Sequence, residues 1–158
     1  MQNQFQNRLR LSLYALFSLI ALVVMADFIW PGKHINDNIS EVRKQRQTYY
    51  NAARNFHYSY KVITNKHEFY VTEDFAKLEP SGKTIEYSVS FLFEEVNWYK
   101  LEASPQKSYY SLRLVSGLVL PVMFLLSILL ALRYKRKIGT LVFVLHLLML
   151  ANLIFLIL

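Results

Sequence analysis

Hydrophobic and polar positions are segregated along this chain. Leu11–Ala26 runs sixteen residues without a charge, Leu114–Leu132 nineteen, and Ile138–Leu158 twenty-one. A helix that crosses a bilayer takes about 20 mostly apolar residues at about 1.5 Å of rise each. The runs therefore predict three transmembrane helices, over roughly Arg8–Trp30, Ser111–Arg133 and Lys137–Leu158. The first reaches full length by including Phe28, Ile29 and Trp30, with Asp27 just inside its end. Its basic start and the small residue Ala26 also fit a secretory signal, but the bulky residues after Ala26 favour an uncleaved anchor. The chain divides into 1–30 (N-terminus and first helix), 31–110 (a polar insert) and 111–158 (the second and third helices with the loop between them).

The insert changes period along its length. Pro31-Gly32 ends the first helix, because proline cannot continue it. Ile39, Val42, Tyr49, Tyr50, Ala53 and Phe56 then recur at spacings that include three and four, which predicts a helix capped by Asp37 or Asn38, with Arg46 interrupting its stripe. Alternation follows. Tyr58, Tyr60 and Val62 oppose His57, Ser59 and Lys61, and a turn at Asn65-Lys66 leads to Phe69 and Val71, which predicts a hairpin. Thr72 with Glu73 and Asp74 reads as the cap and acidic first turn of a short helix. After Ser81-Gly82-Lys83, Ile85, Tyr87, Val89, Phe91 and Phe93 alternate with polar residues, and "VNWYKLEA" supplies a partner strand around Glu94-Glu95. The fold class expected is α+β: three transmembrane helices with a small ββαββ-like domain inserted between helices one and two.

Charge orients this arrangement. The chain carries a formal net charge of +7, yet its insert holds eleven Lys/Arg against ten Asp/Glu. The excess sits in Arg8 and Arg10 and in Arg133, Lys135, Arg136 and Lys137. Both clusters lie at ends that three spans place on one side, and basic residues in short loops stay cytoplasmic. The N-terminus is then expected inside, with residues 31–110 and the C-terminus outside. Arg113 is the dissenting charge. A bacterial inner membrane with a periplasmic insert suits this pattern. Charge held in topology clusters gives no reason to expect nucleic-acid binding.

Candidate chemistry is sparse. There is no cysteine, and the four histidines show no HxxxH or HExxH spacing. His57 and His67 could approach across the first hairpin, but two histidines make an incomplete metal site. No GxSxG is present, and the adjacent acids Glu94 and Glu95 would point to opposite faces of a strand. No enzyme activity, cofactor or metal is expected. Within the spans, Asp27, His146 and Asn152 are polar groups that need partners, and Asn152 lies at a depth like that of Asp27. Interhelical bonding, of His146 to a serine and of Asn152 to Asp27, is the simplest expectation; haem ligation or a proton path is the sharper one. Pro121, four residues after Gly117, predicts a kink.

The functional expectation is a non-enzymatic accessory subunit of a membrane assembly. It would meet another membrane or periplasmic protein, besides the lipid bilayer, through Ile85, Tyr87, Val89, Phe91, Phe93 and Trp98, and through a small-residue strip at Ser127 and Ala131. The alternatives are a homo-oligomeric pore or small transporter lined by Asp27, His146 and Asn152, and an envelope immunity or stress protein.

Overall fold

The computed structural model describes residues 2–48, 56–134 and 139–157. They form two compact units, Pro31–Arg113 and the helices on either side of it in sequence. The class is α+β, with three long apolar helices and a five-stranded antiparallel half-barrel sheet between the first and second. Gln6–Ile29, Ser111–Tyr134 and Gly139–Ile157 are each long and apolar enough to cross a membrane.

In the helical unit, α1 (Gln2–Ile29) and α5 (Gly139–Ile157) are continuous. The helix between them has three parts: α3 (Ser111–Leu114), a π-helical turn (Val115–Val119) and α4 (Leu120–Tyr134). The π turn has a covalent cause. Leu120 N–H donates to the Val115 carbonyl, five residues back. The next amide in that pattern would belong to Pro121, which has none. The Ser116 carbonyl instead accepts a hydrogen bond from Asn152 Nδ2 of α5 at 3.0 Å. Ser116 and Asn152 are both buried, and this side chain supplies the carbonyl with a donor from the neighbouring helix. Gly117 lets α1 approach here, since a Cβ at that position would stand 2.6 Å from the Phe28 ring. Ala21, Phe124, Ile128, Ala131, Val142, Leu145 and Met149 form the core of the unit.

In the sheet unit the strands are β1 (Lys33–Thr48), β2 (Phe56–Thr64), β3 (Glu68–Val71), β4 (Thr84–Val89) and β5 (Val96–Leu101), in the spatial order β3-β2-β1-β4-β5. The short helix α2 (Glu73–Ala76) lies between β3 and β4, with Thr72 Oγ1 accepting from Phe75 N–H as its cap. Phe75 of α2 joins Ile35, Ile39, Val62, Phe69, Val71, Ile85, Tyr87, Val89, Tyr99 and Leu101 in one core.

Two expectations require correction. The region expected to be a helix from Asp37 onward is a strand as far as Thr48, and the sheet has five strands; Tyr49, Tyr50 and Ala53 lie outside the described residues. The misleading spacing has a physical source. Between Ile39 and Glu41 the register against β2 slips, so that Ile39 faces Thr64 and Val42 faces Val62. This bulge at Ser40 brings Ile39 and Val42, three residues apart, to the same core. The predicted β4 also stops early: Phe91 and Phe93 lie in a loop where Glu94 takes a positive φ of 55°.

Candidate interaction surfaces

Ile85, Tyr87 and Val89 do not form a surface. β4 is an inner strand, paired with β1 and β5, and its apolar face is in the core, with Ile85 and Tyr87 at 0% exposure. Tyr87 is fixed further by its hydroxyl, 2.9 Å from His67 Nδ1 and 3.4 Å from Thr64 Oγ1. Burial pushes its phenol pKa up, as it does for Tyr99. Trp98 is on the opposite face but is covered by its own unit: the His34 ring meets it edge-on at 5.2 Å, and Lys107 Nζ stands 4.0 Å from its centroid. His34, Ser88 and Trp98 form one row across the sheet by register. In the next row, Glu86 bonds Lys100 Nζ at 2.7 Å, and that bond holds its carboxyl below the usual range.

The intramembrane candidates are largely engaged in structural bonds. Ser127 and Ala131 are buried, and Ser127 Oγ donates to the Phe124 carbonyl at 2.7 Å. Asp27 is buried. Asn152 bonds the Ser116 carbonyl, where pairing with Asp27 was expected. His146 bonds no serine; its Nδ1 lies 2.7 Å from the Val142 carbonyl, which fixes the proton on Nδ1. Its ring packs among Tyr14, Phe17 and Phe124, and Nε2 has no hydrogen-bond partner among the described residues. Arg113, the charge that opposed the orientation pattern, is buried and donates Nε to Asn97 Oδ1 at 2.9 Å, so the sheet unit uses it. Arg8, Arg10 and Arg133 are exposed, while Lys135, Arg136 and Lys137 lie outside the described residues.

Histidines give no metal centre. His57 is opposite Gln47, and His67 lies beyond the other end of β2, beside Thr64. The two do not approach. Among the described residues no group of three or more His, Cys, Asp or Glu could hold a metal ion.

Two surfaces remain among the described residues; the first was not among the expected contacts, and the second contains Phe91 and Phe93, which were. The first is the outer part of the β1–β2 hairpin. Beyond β3, which pairs with β2 only from Tyr60 to Ile63, the two strands continue as a two-stranded ribbon. Register puts Lys44 opposite Tyr60, Arg46 opposite Tyr58 and Thr48 opposite Phe56, all on the face that carries Val42 and Val62 inside the core. The core face thus runs out of the domain and becomes aromatic and basic. Lys44 Nζ stands 3.8 Å from the Tyr58 ring centroid and Arg46 Cζ 4.1 Å from that of Phe56, while both rings are about half exposed. Residues 42–60 contain four Lys/Arg and no Asp or Glu.

The second surface is the β4–β5 loop. Ser90 N–H donates to the Glu95 carbonyl, and Glu95 N–H donates to Ser90 Oγ, which closes the loop at its base. Phe91 and Leu92 stand outward from it at 68% and 60% exposure, and Phe93 is half-buried.

No protein-family model, curated protein or solved structure matches this chain. The reading of function therefore rests on these surfaces.

Proposed function

We propose that this chain is a non-enzymatic interaction subunit of a membrane assembly, anchored by three helices, that docks an acidic protein surface on its β1–β2 ribbon. The observation that carries this is the aromatic–basic face Lys44, Arg46, Phe56, Tyr58 and Tyr60, which continues the core face and leaves the Phe56 and Tyr58 rings about half exposed. Aromatic rings and arginine anchor protein interfaces, and a face with no acid selects an anionic partner and steers it. Two copies would set like charges against each other, which disfavours self-association through this face. The ribbon is also the part of β1 farthest along the strand from Lys33, where the chain arrives from α1. Fifteen steps of about 3.3 Å separate Thr48 from Lys33, roughly 50 Å.

In this reading Arg8, Arg10, Arg133, Lys135, Arg136 and Lys137 hold the N-terminus and the α4–α5 connection in the cytoplasm, and the sheet unit is periplasmic in a bacterial inner membrane. The bonds of Asn152 and Ser127 to backbone carbonyls favour this reading over a pore, because they spend those polar groups on helix packing.

A photo-crosslinking residue at Tyr58, in native membranes, tests the reading against the same residue at Leu78, which is exposed elsewhere in the sheet unit. The expected result is one stoichiometric protein partner from Tyr58 only, released by raised salt. Crosslinking of the chain solely to its own copies, or equal capture from both positions, would overturn it.

A further inference from the structure

We propose that the β4–β5 loop is a membrane-interface foot, with Phe91 and Leu92 resting in the headgroup–acyl boundary of the bilayer that holds the helices. This does not rest on the ribbon reading. Phe91 and Leu92 put two exposed apolar side chains at the tip of a tight loop, and the occupant is identified by how the chain is threaded.

Three observations place the loop at the end of the sheet where the chain enters and leaves the helices. Lys33, four residues beyond the end of α1, registers opposite Val89, the last residue of β4. Gly32 is closer still, because a Cβ there would fall 2.1 Å from the Val89 carbonyl oxygen. No side chain fits between the incoming chain and the base of the loop. On the outgoing side, Ser108 bridges Tyr99 antiparallel to β5. From Ser108 the chain therefore runs back toward Val96, the loop end of β5, and reaches α3 at Ser111 three residues later. Three residues span at most about 11 Å. Both connections thus join the base of the loop to the apolar helices through only a few residues of chain.

The loop is built to hold a shallow position. Its Ser90–Glu95 bonds keep the tip rigid, so ordering it at the interface costs little further conformational entropy. Phe91 and Leu92 supply apolar area to the boundary, where aromatic side chains concentrate. Glu94 is exposed beside them and its positive φ turns the chain away, which limits depth. The contact is hydrophobic, so it needs no charged lipid. Tyr109 and Trp30, both exposed and next to the same connections, suit the same boundary.

The chain contains no cysteine, so one introduced thiol carries one spin label. The test labels the full chain at Leu92→Cys, and at Phe91→Cys as a second position, after reconstitution in phosphatidylcholine vesicles. The reference is Leu78→Cys, an exposed apolar residue at 54%. Relaxation by oxygen, which partitions into lipid, is compared with relaxation by a water-soluble nickel chelate. The expected result is an oxygen-to-nickel ratio severalfold higher at 92 and 91 than at 78, unchanged by adding phosphatidylglycerol or salt. A ratio equal to that at 78 would overturn the proposal. So would a label immobilised and shielded from both reagents, which would assign the loop to a protein contact.

Discussion

The two halves of β1 belong to one strand but solve different problems. From Lys33 to Asn38 the strand has β4 as its neighbour, and its Ile35 and the following Ile39 lie in the core. From Lys44 to Thr48 it has β2 as its neighbour, and its core-side face carries Lys44, Arg46 and Thr48 against aromatic rings. The first half is held by burial, which is worth several kcal/mol per large side chain. The second is held by ladder bonds and cation–π contacts, each about 1 kcal/mol or less. The bulge at Ser40 separates them. A strand that leaves its core in this way presents a surface without spending stability on it, which is what a docking element requires.

This contrast is open to attack in order of expected effect. Gly32→Val should be the most damaging substitution at the core end, because its Cβ meets the Val89 backbone rather than a side chain that can rotate. A loss of about 3 kcal/mol in the sheet unit is expected, read by thermal melting in detergent. Ile39→Ala should cost about 2–4 kcal/mol by leaving a cavity, whereas Tyr58→Ala should change stability by no more than about 0.5 kcal/mol. Equal costs at both sites would erase the distinction between the halves. Asn152→Leu should destabilise the helical unit by about 1–2 kcal/mol, because the buried Ser116 carbonyl loses this hydrogen bond. Asn152→Gln should restore part of that loss only if its longer amide reaches the same oxygen.

Acid should separate the two units more gently. The Asp37 carboxylate is held below its ordinary value even though burial works the other way. The backbone N–H groups of Asn38 and Lys66, with the Thr64 and Asn65 side chains, outweigh that burial. Glu68 beside Lys61 and Glu86 beside Lys100 are lowered in the same sense. A carboxyl with a depressed folded pKa adds stability that is complete above its unfolded value and is lost as pH falls through the folded one. The sheet unit should therefore weaken below about pH 4, while the helical unit holds. Near-ultraviolet circular dichroism of the tyrosine-rich sheet, followed alongside far-ultraviolet helicity, would show the two responses apart.

The helices were legible in the sequence because hydrophobic run length is a local property, and the three long apolar helices agree with it to within a few residues. The β2–β3 hairpin, the Thr72 cap and the β4–β5 pairing were legible for the same reason. β1 was not, because one extra residue at Ser40 turned a period of two into a spacing of three. Ile85, Tyr87 and Val89 were expected at a contact surface, whereas β1 and β5 flank β4 and a core covers that face. Asn152 was recognisable as a polar group in need of a partner. Its partner was not, since the Ser116 carbonyl is offered to it by a π turn, where Leu120 N–H bonds Val115 and Pro121 has no N–H. The ribbon surface depends on cross-strand register, and a single sequence does not display register.

The central claim is that the ribbon face recruits an acidic protein, and charge reversal tests it most directly. The double substitution Lys44→Glu, Arg46→Glu changes two exposed residues and leaves the buried core untouched. The measurement is the size and composition of the complex extracted gently from native membranes, for wild type and variant side by side. The account predicts a stoichiometric partner with the wild type and its loss from a variant that melts at the wild-type temperature. A partner retained in full by the folded variant, or a wild-type chain that extracts alone, would contradict it.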